Sequence, residues 1–126
     1  EALKIAKKNT TKDINFYHSS WFDKLTGKTF DLIVSNPPYL AENDSHLESL
    51  KYEPIEALIS GKDGLDDIRE IIQNAPKYLN QGGYLLLEHS DRQQKEIVEL
   101  LKLSFVSILT FQDLNGLDRV ILAQVR

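Results

Sequence analysis

Residues 30–40, with the sequence FDLIVSNPPYL, constrain the fold more than any other part of the chain. The segment is continuously apolar at 32–34, as is typical of a strand buried on both faces of a mainly parallel sheet. It then ends in a turn of four residues, Asn36, Pro37, Pro38 and Tyr39. Each proline fixes its own φ and has no N–H to donate, so the turn is rigid. The segment therefore predicts a central strand with a rigid turn at its carboxyl end.

The rest of the chain alternates between helix-like and strand-like segments, which is the pattern of an α/β fold. Helices are predicted at 2–9, 63–79 and 91–102, the second broken near its end by Pro76 and the third begun by a capping box of Ser90 and Gln93. Further strands are predicted at 14–18, 84–88, 105–111 and 119–125, the last two as an antiparallel hairpin. We therefore expect residues 1–126 to form a single α/β domain, with a mainly parallel sheet that ends in an antiparallel hairpin.

Composition and charge limit the function classes. The net charge is -4 and the Lys and Arg residues are scattered, which disfavours direct binding of nucleic acid. The chain has no Cys, and its three histidines, His18, His46 and His89, are far apart, so no metal site is expected. No apolar run approaches the roughly 18–20 residues of a membrane span. A cytoplasmic location, away from membranes, is the expectation, with a protein or a small molecule as partner.

The turn at 36–39 has the chemistry to hold a planar NH2 group. Asn36 stands at the carboxyl end of a strand, where open α/β sheets bind their ligands. Its side-chain oxygen and a backbone carbonyl near Pro37 can each accept one N–H, while Tyr39 packs against the conjugated plane. Held in this way, the nitrogen lone pair is directed out of the amide plane and becomes more available as the nitrogen turns pyramidal, so an electrophilic methyl held in line can be transferred largely through positioning. The alternative is a loop in which Asn36 caps a turn that the prolines stiffen.

Other candidates follow from position. The polar stretch at 41–60 is long for a connection and predicts a functional loop, in which His46 could touch a partner. Glu53 is interpreted as a residue that orders this loop or contacts the partner. Glu88 ends a strand on the same side of the sheet as Asn36, where either a structural hydrogen bond or a catalytic role is open.

The motif DLIVSNPPYL resembles motif IV of the S-adenosylmethionine-dependent amino-methyltransferases. Three longer segments, NPPYLAENDSHLESLKYEPIEALISGKDGL, GGYLLLEHSDRQ and DLNGLDRVILA, resemble the HemK/PrmC family, the protein-(glutamine-N5) methyltransferases of peptide chain release factors. The resemblance extends over essentially all 126 residues. It implies the Rossmann-like class I methyltransferase fold, with S-adenosyl-L-methionine as cofactor and a release factor as protein substrate.

The resemblance also implies roles for particular residues. Asn36 and the Pro37 carbonyl would bind the side-chain amide of the Gly-Gly-Gln glutamine as the catalytic pair, with Pro38, Tyr39 and Glu53 completing the substrate site. Asn36 would also face the cofactor. Trp21 matches a hydrophobic position beside the cofactor's adenine, although a plain core aromatic is an equal alternative. Ser20 stands where the family usually has an acidic residue, and its hydroxyl is a weaker acceptor for the adenine amino group.

The family's glycine-rich cofactor loop and first βαβ unit have no counterpart in this sequence, so we expect residues 1–126 to be the C-terminal part of a catalytic domain. On this interpretation the chain is inactive alone, and the unpaired edge of strand 32–35 leads to self-association or to disorder of residues 1 to about 20. Two other functions stay open: an amino-methyltransferase that acts on adenine in nucleic acid, and a fragment that only docks a release factor.

Overall fold

The computed structural model describes residues 1–126 and contains three α-helices and four strands. In chain order these are α1 (Ala2–Lys8), β1 (Phe30–Ser35), α2 (Asp66–Asn74), β2 (Leu79–Glu88), α3 (Gln94–Leu101), β3 (Phe105–Gln112) and β4 (Asp118–Val125). Three short 3-10 helices lie at Ser45–Leu50, Ile55–Ala57 and Ala75–Lys77. No helix is long and apolar enough to cross a membrane.

The four strands form one sheet in the order β1-β2-β4-β3. β1 and β2 are parallel, because α2 carries the chain back between them, whereas β2–β4 and β4–β3 are antiparallel. The predicted α/β class and the terminal hairpin are confirmed. The sheet within the chain is mixed, with one parallel pair, rather than mainly parallel as expected. β1 lies at one edge of this sheet, as expected from its unpaired side. The prediction that this strand is buried on both faces is wrong, because Leu32 and Val34 are 53% and 64% exposed on a face that no helix covers.

The core lies between one face of the sheet and the helices α2 and α3. It consists mainly of Ile and Leu side chains from the two helices and from alternate positions of β2 and β4, with Phe105 fully buried beside them. The alternate side chains point to the other face of the sheet, where Leu32, Val34, Leu109 and Phe111 are exposed. The sheet is therefore apolar on both faces, but only one face is covered.

Several predicted boundaries are wrong for physical reasons. The segment 14–18 is not a strand, because no neighbouring strand is available to pair with it, and its Ile14 is half exposed. α2 begins at Asp66 rather than 63, since Gly64 has a φ of +76° that a helix does not allow. Its end at Asn74, followed by a 3-10 turn that contains Pro76, agrees with the predicted break.

The capping box before α3 forms only by half. The Gln93 side-chain oxygen accepts the Ser90 N–H at 3.1 Å, as a capping box requires. The Ser90 hydroxyl, however, donates to Asp91 at 3.2 Å instead of accepting from Gln93. α3 then starts at Gln94, three residues later than predicted.

Candidate functional site

The parallel strands β1 and β2 end at the same edge of the sheet, and the candidate site lies beyond that edge. Asn36 follows β1, while His89 and Ser90 follow β2. A cavity of about 420 Å³ opens here, within the range of roughly 300–1,000 Å³ typical of small-ligand pockets. Its lining includes four of the five predicted substrate-site residues, the loop residue His46, and two arginines: Asn36, Pro37, Tyr39, Glu53, His46, Arg92 and Arg119.

The turn at 36–39 presents its acceptors to this cavity. Asn36 is exposed, whereas the next residue, Pro37, is buried and has a fixed φ. The Pro37 carbonyl accepts no backbone hydrogen bond, which leaves its oxygen available to a ligand. Pro38 is half-buried and does not line the cavity, unlike the other three residues of the turn. Asn36 and Pro37, the two residues predicted to accept the N–H groups of one amide, thus line the same cavity.

Tyr39 is held as a wall of the cavity by hydrogen bonds at both ends. Its hydroxyl donates to Glu88 Oε1 at 3.0 Å, and its backbone carbonyl accepts from Gln93 Nε2 at 3.0 Å. Burial, followed by the Glu88 hydrogen bond, raises the pKa of the Tyr39 hydroxyl above its usual value. The phenol therefore stays protonated at neutral pH and keeps donating to Glu88, which gives Glu88 the structural hydrogen bond considered from the sequence.

The loop at 41–60 closes back on the turn. The Leu40 N–H donates to the Leu58 carbonyl at 2.9 Å, and the Ser60 N–H donates to the Leu40 carbonyl at 3.0 Å. Asp44 caps the first 3-10 helix by accepting the His46 N–H at 2.9 Å, a bond that lowers the pKa of the Asp44 carboxyl. Because both ends of the loop meet at Leu40, His46 and Glu53 are brought over the cavity.

Residues 62–65, here called the KDGL segment, contain a glycine that packs closely against the turn at 36–39. Gly64 has a φ of +76°, and a Cβ at this position would lie 2.3 Å from the Tyr39 carbonyl oxygen. Only glycine fits such an approach to a backbone atom. The segment therefore acts as a base on which the turn at 36–39 rests.

Arg119 is a cavity residue that the sequence did not single out. Its guanidinium donates to the His89 carbonyl through Nη1 at 3.2 Å and to Asp113 Oδ2 through Nε at 3.3 Å. These bonds fix the side chain at the cavity wall. The only sequence signal was its place in DLNGLDRVILA, a segment used for the resemblance as a whole.

Ser20 and Trp21 do not line this cavity. Ser20 is exposed, and Trp21 packs against the core while its indole N–H donates to Asp67 Oδ1 at 3.0 Å. Asp67 also accepts the Ser60 hydroxyl at 2.6 Å, so Trp21 is linked to the end of the loop at 41–60. The core alternative for Trp21 thus agrees with its packing, and a cofactor role for Ser20 and Trp21 stays a prediction.

The histidines occupy three separate environments. His18 and His46 are exposed, whereas His89 is fully buried and its Nδ1 lies 2.7 Å from the Ser90 carbonyl. Burial lowers the pKa of His89, so its imidazole is neutral at neutral pH. No group of three or more His, Asp or Glu side chains is placed to hold a metal ion.

Comparison with known proteins gives consistent similarities. Residues 1–116 match the model of the family described as the methyltransferase small domain. The proteins named release factor glutamine methyltransferase of Coxiella burnetii and Vibrio cholerae are 44% identical over 128 residues and 42% identical over 134 residues. These alignments cover 98% and 100% of this chain but 46% and 47% of those proteins. The chain thus spans about half the length of the curated relatives it matches.

Two solved structures share the fold at low sequence identity. The N-methyltransferase NodS of Bradyrhizobium japonicum, in complex with S-adenosyl-L-homocysteine, aligns with a TM-score of 0.54 at 19% identity, covering 99% of this chain and 59% of that chain. A methyltransferase from Pyrococcus furiosus aligns with a TM-score of 0.51 at 21% identity, covering 77% of this chain and 41% of that chain. The class I methyltransferase fold predicted from the sequence is confirmed.

Proposed function

The chain belongs to the methyltransferase small domain family, and on that premise we propose that its protein methylates the side-chain amide of a glutamine in a peptide chain release factor. The methyl donor is S-adenosyl-L-methionine, and the target is the glutamine of the Gly-Gly-Gln motif. The observation that carries this proposal is the joining of the Asn36–Tyr39 turn to the loop at 41–60 in one cavity. The names of the relatives that are 40–44% identical support the same substrate.

The turn at 36–39 supplies the chemistry by binding and orienting the amide. Asn36 Oδ1 accepts one N–H of the glutamine amide and the Pro37 carbonyl accepts the other, so the amide plane is fixed against Tyr39. Both N–H groups are then occupied, and the nitrogen lone pair becomes available only as the nitrogen turns pyramidal. These contacts strengthen toward the transition state, in which the amide nitrogen gains positive charge. Afterwards one N–H proton leaves to water.

The residues of this chain fit the cofactor at the edge that holds Asn36. In parallel α/β sheets ligands bind beyond the carboxyl ends of the strands, and Asn36 lies exposed at that position. Bound S-adenosyl-L-methionine would supply the electrophilic methyl and, as its methyl–sulfur bond breaks, would leave as S-adenosyl-L-homocysteine. Asn36 would face both the methyl and the amide, while Ser20 and Trp21 would lie on the adenine side. The chain's own contribution is to hold the accepting oxygens on a rigid turn.

The loop at 41–60 gives the proposed protein substrate a receiving surface. Tyr52 and Ile55 are largely exposed, and they alternate with Leu50, Glu53 and Ala57, which line the cavity. A glutamine side chain that enters the cavity brings its own backbone against these residues. The loop can therefore contact the partner on both sides of the inserted side chain.

The test is methyl transfer by the protein made from the complete reading frame that contains this chain. Radiolabelled S-adenosyl-L-methionine is offered together with a release factor and an adenine-containing DNA. We expect label on the release factor only, reduced at least about 10²-fold by Asn36→Ala, since the substitution removes an oriented acceptor. Asn43→Ala is the matched control, because Asn43 is an exposed asparagine of the neighbouring loop that does not line the cavity.

The outcomes separate the function classes. Label on the DNA alone would contradict the glutamine substrate and indicate an adenine methyltransferase. Capture of the release factor without any label would indicate a docking module. Label on the release factor that persists in Asn36→Ala would contradict the role of the turn at 36–39.

A further inference from the structure

The side-chain amide of Gln93 joins three separate segments around the cavity. Its Nε2 donates to the Tyr39 carbonyl at 3.0 Å and to the Asp63 carbonyl at 3.3 Å. Its Oε1 accepts the Ser90 N–H at 3.1 Å. The residue is 7% exposed, and both amide hydrogens have an acceptor. A buried amide with this many partners is costly to replace, because each partner would lose its hydrogen bond.

Each of the three segments contributes to the candidate site. Tyr39 is the wall of the turn at 36–39, and Ser90 lines the cavity from the end of β2. Asp63 precedes Gly64, the residue that packs against the Tyr39 carbonyl. Gln93 itself does not line the cavity. Whatever it does for the reaction must therefore pass through the carbonyl and amide groups that it holds.

The Tyr39 carbonyl is fixed from two directions. Gly64 approaches so closely that a Cβ at that position would overlap the oxygen, and Gln93 donates to the same oxygen. Pro37 and Pro38 lack N–H groups, so the turn cannot brace itself through local hydrogen bonds of those residues. The position of the turn relative to β2 thus depends on contacts from outside the turn. The Gln93 amide is the polar contact to its backbone, and the Tyr39 hydroxyl bonds to Glu88 of β2 through the side chain.

We propose that Gln93 is a positioning residue that sets the orientation of the Asn36–Tyr39 turn for methyl transfer, an inference that rests on the proposed function. Asn36 Oδ1 and the Pro37 carbonyl have to meet two hydrogens of one amide, and a displacement of about 1 Å can cost about 10²-fold in rate. Gln93 keeps the turn, the KDGL segment and the start of α3 at fixed separations. Gln93 thus affects the rate by positioning the turn, without contacting the substrate.

The test compares Gln93→Leu with Gln94→Leu in the protein made from the complete reading frame. Gln94 is the next residue and also a partly buried glutamine, but its amide donates to Asp118 at 2.9 Å, on the hairpin. Gln94→Leu loses this one side-chain hydrogen bond, whereas Gln93→Leu loses three. We expect kcat on the release factor to fall about 10²-fold in Gln93→Leu, with KM changed much less, and to stay within about threefold of wild type in Gln94→Leu.

A second variant addresses a failure to fold. Gln93→Glu retains an oxygen for the Ser90 N–H but sets a carboxylate oxygen against the two carbonyls, so it should lower kcat as Gln93→Leu does. Equal kcat in the Gln93 and Gln94 variants would overturn the proposal. So would a rise in KM with kcat unchanged in Gln93→Leu, since that pattern is loss of binding and not of positioning.

A readout independent of activity separates this proposal from the proposed function. Amide hydrogen exchange at Leu40, whose N–H donates to the Leu58 carbonyl, should be faster in Gln93→Leu than in Gln94→Leu, because the neighbouring Tyr39 carbonyl loses its hydrogen bond from Gln93. If the wild-type protein does not label the release factor, the proposed function fails, and the exchange rates alone decide the role of Gln93. Equal exchange in the two variants would then overturn it.

Discussion

Gly64→Ala tests whether the KDGL segment is the base of the candidate site. The added Cβ would lie 2.3 Å from the Tyr39 carbonyl oxygen and 2.9 Å from Gln93 Nε2. The first neighbour is backbone and cannot move without displacing the turn at 36–39. We therefore expect this substitution to destabilise the protein and also to slow methyl transfer.

The magnitude has two contributions. Alanine at a φ of +76° costs about 1–2 kcal/mol in backbone strain. Relief of the overlap with Tyr39 adds about 1–3 kcal/mol, the usual cost of overpacking. Gly116→Ala is the matched control, because Gly116 has nearly the same φ, +77°, with nothing within 4 Å of its Cβ. The difference between the two variants isolates the contact with Tyr39.

The assay is urea unfolding of both variants and of wild type, followed by kcat at saturating release factor. We expect Gly64→Ala to lose about 1–3 kcal/mol more than Gly116→Ala and to lose at least about tenfold in kcat, while Gly116→Ala keeps wild-type kcat. If Gly64→Ala and Gly116→Ala lose unfolding free energies that differ by less than about 0.5 kcal/mol, the close packing of Gly64 on Tyr39 is refuted. The backbone strain that both variants share would then account for the whole loss.

Two further predictions concern the exposed strand and the buried histidine. The 126-residue chain should self-associate through the open edge and uncovered face at β1, and Val34→Lys, at a position 64% exposed, should shift it toward monomer in sedimentation equilibrium; a wild-type chain that is monomeric at all concentrations would contradict this. Burial lowers the pKa of His89 in the folded state, so the unfolded state takes up the proton first. Stability should thus be complete above the unfolded pKa of about 6.5 and decline as pH falls below it. His89→Gln should flatten this dependence in urea midpoints, and an unchanged slope would assign it to other groups.

Local sequence patterns were sufficient for the parts of the fold whose partners are near in the chain. The terminal hairpin and the strand β1 with its rigid turn were predicted because period, proline and turn residues act over a few positions. The segment 14–18 has a strand-like composition, but a strand also requires a neighbour, and composition does not contain that information. The segment 14–18 is therefore not a strand because it has no pairing partner, although its residues favour strands.

The sequence predicted which residues of the turn and the loop come together, but not the contacts that support them. Asn36, Pro37, Tyr39 and Glu53 do line one cavity, because they lie on the turn and the loop that the motifs defined. The sequence predicts Gln93 only as part of the capping box of α3. Its bond to the Tyr39 carbonyl joins residues 54 positions apart. Contacts of that span depend on tertiary packing, which no local period encodes.

The location of the transferred methyl group is the most direct test of the central claim. The release factor is treated with the protein from the complete reading frame and S-adenosyl-L-methionine, and the product is sequenced by tandem mass spectrometry. We expect one methyl group on the side-chain amide nitrogen of the Gly-Gly-Gln glutamine, absent when the enzyme carries Asn36→Ala. A methyl group on any other atom of the release factor, or none while DNA adenine is methylated, would contradict the assignment of the Asn36–Tyr39 turn as a glutamine-amide site.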